Sequence, residues 1–408
     1  MNSWPSMSVA DIADQVAMGP FGSNIKVDTF VLDPGVPVIS GAHLKRSLVD
    51  LDGDFNFITQ SHAESLSRSM VGPGDIVLTH AGTIGQVSCV PNGRFDRLIL
   101  SQRQFYIRPN PSLVDPMFIT HYLRSPAGQH LILANASQSG VPSIAQPVSY
   151  IKSVRVPVPP LEIQKSISGV LNALEEKIAK NERLMSVADE LFQLHWEKFY
   201  SFGASWEQVS LHDVASPQYG LTASADRSAQ GAYFLRVTDI NKKNWVDWSS
   251  VPSVPKEQID FEKFELALGD LLVARMGDPG KSAIFEGATR PAVFASYLVR
   301  LKPRDAESGL FLFGFLKSRN FWDYADMVIT GSVQRNMNAR LIGEAPLRMP
   351  SMEEVRRFAK KGKVFRDVIS SRLEENRRLA ATRDEILPLL MSGKITVKDA
   401  EKTVEEVV

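Results

Sequence analysis

The sequence predicts an α+β protein with two strand-rich domains, each followed by a long helix, and the two helices packed as a coiled coil. Residues 74–85 (GDIVLTHAGTIG) resemble residues 269–280 (GDLLVARMGDPG), and residues 181–194 resemble residues 376–389. The offset of about 195 residues is far longer than the 20–50 residues of solenoid repeats. The repeated unit is therefore a domain with its helix, and we expect a pseudo-twofold internal repeat.

The first strand-rich domain is predicted at residues 1–158. Short apolar runs, such as 36–40 and 75–80, end at turn-forming residues, as strands do. One helical stretch is predicted from Pro116 to Asn135, where apolar side chains recur at helical spacing. The prolines of residues 154–162 then mark a hinge.

Two long helices are predicted, a central spacer at 159–200 and a second at 351–395. Between them lies the second domain, 201–350, and a tail follows at 396–408. Apolar residues at alternating steps of four and three predict that the helices pack lengthwise on each other. The seam of the first helix consists of Ile167, Leu171, Leu174, Ile178, Asn181, Met185, Ala188 and Phe192.

Asn181 and Asn376 occupy equivalent seam positions, where a polar residue can fix the register of a helix pair. The alternative, that both are simply solvated, stays open. Pro159 and Pro350 are 191 residues apart, whereas the asparagines are 195 apart. We therefore expect the second helical arm to be longer by about four residues, roughly one turn.

Composition sets broad limits. The chain of 408 residues has 44% hydrophobic residues and a formal net charge of zero, so it can bury cores but has no overall basic signature for nucleic acid. The single cysteine, Cys89, is expected to be a small buried apolar residue in a cytoplasmic protein. No membrane segment is predicted.

The repeated glycine-bearing segments predict tight turns with polar tips between strands. His80 and Thr83 decorate the first tip, and Arg275 and Lys281 the second. Ordinary hairpin turns are the alternative. A phosphate-binding loop is excluded, because a glycine would be needed where Arg275 stands.

Two further segments, 137–146 and 329–341, are rich in side chains that can hydrogen-bond to base edges. A glycine-flanked segment, 19–26, suits close approach to phosphate. The candidate contact residues in these three segments are Gln138, Ser139, Ser143, Gln334, Arg335, Asn336, Asn338, Arg340, Asn24 and Lys26.

We find no catalytic constellation. The seven histidines form no metal-binding motif, and a nucleophile elbow is missing. The sequence therefore predicts a binding protein without catalytic or metal-ligating residues.

In order along the chain, these segments resemble the specificity (S) subunits of type I restriction–modification systems. The resemblance covers essentially the whole chain. The segments that carry it are GPFGSNIK (19–26), GDIVLTHAGTIG (74–85), PVPPLEIQKSI (157–167), LFQLHWEKF (191–199) and LPLLMSGKITV (387–397).

The resemblance implies that each strand-rich domain is a target recognition domain for one half of a bipartite site on double-stranded DNA. It implies that the helices set the spacing of the half-sites and dock two methyltransferase (M) subunits, with endonuclease/translocase (R) subunits joining them. S-adenosylmethionine, ATP and Mg are then expected on the partner subunits, and this chain binds no cofactor. The alternatives are a non-catalytic scaffolding protein with two protein-binding modules on a coiled-coil stalk, and a single-chain restriction–methylation enzyme, which would need the missing catalytic motifs.

Overall fold

A computed structural model describes residues 4–32, 35–137, 141–226, 231–255, 261–330 and 336–406. The chain divides into two compact units. Unit 1 comprises Met1–Ile178 and Arg378–Val408, and unit 2 comprises Ala179–Arg377. The domain boundaries given above stay predictions.

Unit 1 begins with strands and short helices that lead into the first long helix. Its strands are β1 (Ser6–Ser8), β2 (Ala13–Met18), β3 (Val36–Ile39), β4 (Asn56–Ile58), β5 (Met70–Val71), β6 (Ile76–Thr79), β7 (Val87–Cys89), β8 (Leu98–Leu100), β9 (Gln104–Pro109), β10 (Ala136–Ser137), β11 (Ser143–Ile144) and β12 (Arg155–Pro157). The helices are α1 (Val9–Ile12), α2 (Gln60–Ser65), α3 (Pro116–Arg124), α4 (Pro126–Leu133), α5 (Pro147–Ser153) and the long α6 (Leu161–Ser201).

Unit 2 follows the same plan. Its strands are β13 (Glu207–Ser210), β14 (Ala215–Tyr219), β15 (Ala232–Leu235), β16 (Ser253–Val254), β17 (Leu271–Ala274), β18 (Ser282–Ile284), β19 (Ala292–Phe294), β20 (Leu298–Pro303) and β21 (Pro346–Met349). The helices that follow α6 along the chain are α7 (Leu211–Val214), α8 (Val237–Ile240), α9 (Phe261–Phe264), α10 (Gly309–Lys317), α11 (Arg319–Thr330), α12 (Ala339–Gly343), the long α13 (Met352–Met391) and α14 (Val397–Glu405). The last part of α13 and all of α14 belong to unit 1.

The two units share a sheet topology. A four-stranded sheet has the order β2-β9-β6-β7 in unit 1 and β14-β20-β17-β18 in unit 2. Beside it, a parallel pair joins β3 to β8 in unit 1 and β15 to β19 in unit 2. In each unit the first strand pairs with the strand before a long helix, β1 with β12 and β13 with β21. The duplication predicted from the sequence is therefore confirmed at the level of strand order.

Each unit also contains a pair of helix segments. In unit 1 the first part of α6 and the last part of α13 share one core, in which Ile167, Leu171 and Ile386 are buried. In unit 2 the other parts of the two helices pack together, with Phe192 against Phe358 and Met185 with Ile369. Because early residues of one helix meet late residues of the other, the packing is antiparallel. The predicted helix pairing and its seam are confirmed.

Asn181 and Asn376 lie at the start and the end of unit 2. Asn181 is 1% exposed, and its Nδ2 donates a hydrogen bond of 2.8 Å to the Oδ1 of Asn376. The alternative that both side chains are simply solvated is therefore wrong.

Two details differ from the sequence expectations. The stretch 116–135 is not one helix, because Pro126 lacks an N–H and the Ser125 hydroxyl caps a new helix by accepting from the Gly128 N–H. The long helices have 41 and 40 residues, so α13 is not longer overall. The four additional residues predicted for α13 lie between its start and Asn376. The part of α13 after Asn376 is shorter than the part of α6 after Asn181, which offsets this addition.

Candidate nucleic-acid interface

The repeated glycine-bearing segments form hairpin tips, as predicted. In unit 1 the tip joins β6 to β7, and Gly82 and Gly85 have φ angles of +79° and +82°. In unit 2 it joins β17 to β18, and Gly277 and Gly280 have φ angles of +80° and +89°. Residues with a Cβ rarely adopt this left-handed region, so the four glycines set the shape of both turns. The two tips therefore share one backbone path.

Each hairpin is fixed at its base by an aspartate in front of the strand. Asp75 accepts a hydrogen bond from the Gly72 N–H and pairs with Arg108 at 2.7 Å. Asp270 accepts from the Ala267 N–H and lies 3.4 Å from Arg300. Both aspartates cap turns, and both hold an arginine of the neighbouring strand. A rigid base of this kind positions the tip.

His80 lies at the centre of the unit 1 tip. Its N–H donates to the Arg103 carbonyl at 3.0 Å, and its carbonyl accepts from the Ile144 N–H at 2.8 Å. The segment around Ser143 therefore runs beside the tip, and Ser143 forms a β-bridge with Ala81. The structure thus brings His80 and Ser143 together, and Thr83 is exposed in the adjoining turn. The candidates Gln138 and Ser139 lie outside the described residues.

A concavity of about 700 Å³ opens beside this tip. Its walls come from residues 25–30, 38–45, 54–56, 79–86 and 101–104. Among the polar residues that line it and that the sequence did not indicate are His43, Lys45, Gln102, Arg103 and Gln104.

Asn24 and Lys26 are both exposed, on either side of Ile25, which lines the concavity. Glycines let their loop approach residues 101–104 closely. A Cβ on Gly19 would lie 2.2 Å from the Ser101 carbonyl oxygen, and one on Gly22 would lie 2.6 Å from the Gln102 side chain. The predicted loop therefore borders the concavity.

Arg275 takes the place of His80 in the unit 2 tip. Its N–H donates to the Tyr297 carbonyl at 2.9 Å, and its carbonyl accepts from the Met337 N–H at 2.9 Å. The guanidinium lies 4.9 Å from the ring centroid of Tyr219, a cation–π distance. The structure therefore brings Arg275 next to Asn336, the neighbour of Met337.

The other unit 2 candidates are less concentrated. The Asn338 Oδ1 caps α12 by accepting from the Leu341 N–H at 2.9 Å, and Arg340 forms an ion pair of 2.7 Å with Glu344. Lys281 lies over Trp322, in a recess lined by Gln193 of α6. Lys281 and Arg275 thus line different parts of unit 2. Gln334 and Arg335 lie outside the described residues.

Arg103 and Tyr297 are tip residues that sequence reasoning missed. Both supply the carbonyl that holds the tip, and both stand just before the strand that pairs with the hairpin, in SQRQFYIRP and ASYLVRLKP. That shared position in front of β9 and β20 was the available signal. Tyr219, at the end of β14, had no equivalent in the repeated segments.

Burial changes the acid–base properties of several groups near the tips. Desolvation lowers the pKa of His80, so the neutral ring is favoured. Burial also lowers the pKa of Lys317 to about 8, although Asp189 opposes the shift. The pKa of the buried Cys89 thiol is raised to about 12, chiefly by burial, which makes it a poor nucleophile.

No group of three or more His, Cys, Asp and Glu side chains that could hold a metal ion occurs among the described residues. In the same part of the chain, every helix is too short or too polar to cross a membrane.

Duplicated strand-rich units, each with a polar hairpin tip and a share of two paired helices, define a class of internally repeated proteins with two comparable surfaces. Residues 25–187 match the family model described as the type I restriction modification DNA specificity domain. The resemblance stated from the sequence is confirmed: the chain is similar to the specificity subunits of type I restriction–modification systems.

Two specificity subunits from Methanocaldococcus jannaschii have sequences similar to this chain. The type I restriction enzyme MjaVIII specificity subunit is 20% identical over 357 residues, which cover 81% of each chain. The putative type I restriction enzyme MjaX specificity subunit is 20% identical over 393 residues, 89% of this chain and 88% of the other.

The fold is shared with a solved structure. The S subunit of the type I restriction–modification system from M. genitalium matches with a TM-score of 0.56 at 14% identity. The match covers 95% of this chain and 96% of that one.

Proposed function

We propose that this chain is the DNA-recognition subunit of a type I restriction–modification complex, and that each unit reads one half of a bipartite site. The observation that carries this proposal is the pair of tips with one backbone geometry and different side chains, His80 in unit 1 and Arg275 in unit 2. Two readers of different half-sites need a common scaffold with different hydrogen-bonding groups.

The candidate residues divide into two roles. Exposed Lys26 and Lys281 suit phosphate, which sets position without reading sequence. Side chains held at the tips and around the concavity, such as Gln102, Ser143 and Asn336, suit base edges. Binding of DNA by a chain of zero net charge then depends on local arrangement and on charge from partner subunits.

The helices supply a docking surface for the partner subunits. In unit 2 one face of α6 carries exposed apolar side chains at helical spacing, namely Leu184, Val187, Leu191 and Leu194. An amphipathic helix packs its apolar stripe against a partner. We assign this face to a methyltransferase subunit, of which the complex holds two, with endonuclease/translocase subunits added to it.

This chain contributes no reaction centre in the proposed complex. S-adenosylmethionine, ATP and Mg bind to the partner subunits, and the chain determines where they act. The two asparagines of the helix pair, Asn181 and Asn376, set the helix register, and the helices set the distance between half-sites.

The decisive test is co-expression with the methyltransferase subunit of the same restriction–modification system, followed by sequencing of modified bases. The expected result is one bipartite motif with a fixed spacer. Replacing Leu184 and Leu191 together by Glu should abolish methylation, whereas the matched change Glu197→Gln on an exposed position of α6 should not. Methylation without a bipartite motif contradicts the proposal.

The spacer can be tested separately. Inserting four residues, about one helical turn, into one long helix should change the required half-site spacing and leave both half-site sequences intact. Methylation mapping of this variant that showed altered half-sites would contradict the role of the helices as a ruler.

A further inference from the structure

Arg275 is held in a rigid backbone frame. It directly follows β17, and two backbone hydrogen bonds of 2.9 Å tie it to Tyr297 and Met337. Met337 is fully buried, so the segment beside the tip is anchored in the core of unit 2. The direction in which the Arg275 side chain leaves the backbone is therefore set by the sheet.

The side chain is positioned as well. Its guanidinium lies against the ring of Tyr219, and the Tyr219 hydroxyl oxygen accepts a hydrogen bond of 3.1 Å from the Ala339 N–H. Tyr219 is 45% exposed, so this stacked pair stands at the surface of the unit. A planar guanidinium held in place loses little freedom when it forms two parallel hydrogen bonds.

Nothing in the described part of the chain neutralises this guanidinium. Two buried arginines of unit 2 bind carboxylates, Arg300 with Asp270 and Arg366 with Asp189 and Glu286. By contrast, no carboxylate lies within ion-pair distance of Arg275 among the described residues, and its Nε is buried without an acceptor. The Oδ1 of neighbouring Asn336 is also buried without a donor. Arg275 is only half-buried, and a cation at the surface without a carboxylate partner can bind an acceptor from outside the chain.

We propose that Arg275 reads a guanine in the major groove of the half-site contacted by unit 2. Guanine presents two acceptors, O6 and N7, at the spacing of an arginine fork. A phosphate contact would not need a guanidinium fixed by a sheet and an aromatic ring, because phosphates set position only. This inference rests on the proposed function and adds the identity of one base.

The test uses the full chain in complex with its methyltransferase. Methylation motifs are mapped for the unaltered complex and for Arg275→Ala, Arg275→Gln and the control Arg319→Gln, an exposed arginine of α11. We expect one guanine of one half-site to become degenerate in Arg275→Ala, with its preference reduced on the order of tenfold or more. The other half-site and the control motif should not change.

A second variant guards against a folding defect. Tyr219→Leu keeps Arg275 but removes the ring that holds it, and should relax the same position partially. Thermal unfolding of each variant checks that unit 2 is folded.

Two results overturn the inference. In the first, Arg275→Ala leaves the motif unchanged, weakens DNA binding uniformly and reduces the salt dependence by about one counterion. This result would identify a phosphate contact. An unchanged motif with unchanged binding removes Arg275 from the interface. If the unaltered complex itself gives no bipartite motif, the proposed function fails first and the inference falls with it.

Discussion

The two hairpin tips differ in their side chains but not in their backbone hydrogen bonds. His80 and Arg275 each donate to the carbonyl in front of the pairing strand, and each accepts from the segment that runs beside the tip. The residues that supply those carbonyls are Arg103 in unit 1 and Tyr297 in unit 2. Unit 1 therefore has its arginine at the carbonyl position, and unit 2 has its arginine at the tip. The two units thus share the backbone hydrogen bonds of the tip and differ in the side chains that the tip carries.

The helix segments of the two units differ in the same way. Leu171 lies ten residues before Asn181 and is fully buried in unit 1, whereas Arg366 lies ten residues before Asn376 and is buried in unit 2. Leu379 is completely buried in unit 1, while its counterpart Leu184 is 52% exposed in unit 2. The repeats therefore share their spacing, but the helix core of unit 2 contains a buried charged residue where that of unit 1 contains a leucine.

The largest expected effect comes from the buried charges of unit 2. Asp189 accepts hydrogen bonds from Arg366 at 3.1 Å and Asn244 at 2.5 Å, and lies 3.5 Å from Lys317. Asp189→Asn should lower the free energy of unfolding by about 3–5 kcal/mol, because the buried Lys317 loses its carboxylate partner and Arg366 keeps only its pair with Glu286. Urea unfolding followed by tryptophan fluorescence measures this, since five of the six tryptophans belong to unit 2.

The repeat supplies the matched control. Asp384 is the counterpart of Asp189 in unit 1, is 65% exposed and pairs with Arg383 at 2.7 Å. Asp384→Asn should cost less than about 1 kcal/mol, as exposed ion pairs do. Equal losses for the two variants would contradict the asymmetry of the helix cores.

The next effect concerns the asparagine pair. Asn181→Leu should cost about 1–3 kcal/mol, because the Oδ1 of the half-buried Asn376 loses the hydrogen bond that Asn181 donates. The double variant with Leu at both positions should recover most of the loss, since neither polar group is then buried. A double-mutant cycle in urea measures the coupling, and additive losses would show that the two side chains act separately.

A smaller effect should be equal in the two units. Gly82→Ala and Gly277→Ala each place a Cβ on a residue near φ +80°, which costs about 1–2 kcal/mol. Denaturant unfolding of both variants tests whether the backbone of the tips is as similar as their hydrogen bonds indicate. A clear difference between the two losses of unfolding free energy would show that the two tips do not share one backbone conformation.

The sequence predicted what depends on local pattern. The repeated glycines identified both tips, and the heptad spacing identified the helix seam. Tyr219 and Tyr297 were missed, because strand pairing brings them next to Arg275 from distant positions in the sequence. Lys281, six residues from Arg275, was grouped with it, yet it lies against Trp322 in a recess beside α6. Proximity in sequence therefore did not indicate that Arg275 and Lys281 lie on different parts of unit 2.

The smallest expected effect separates the tips by pH. Burial holds the pKa of His80 below its usual value near 6.5, so the folded state binds a proton less readily than the unfolded state. Unit 1 should therefore lose stability as the pH falls below 6.5 towards the folded-state pKa, and should be unaffected by this group above 6.5. Arg275 stays charged throughout this range.

Hydrogen exchange at pH 7.5 and 5.5, corrected for intrinsic rates, measures this difference. Peptides that cover residues 76–90 should lose protection at the lower pH, and peptides that cover residues 271–285 should not. His80→Gln should abolish the difference, because glutamine does not titrate. If the loss of protection persists in His80→Gln, it arises from another buried group of unit 1, such as His121, whose pKa is also lowered by burial. The tips would then differ in hydrogen-bonding chemistry but not in their response to pH.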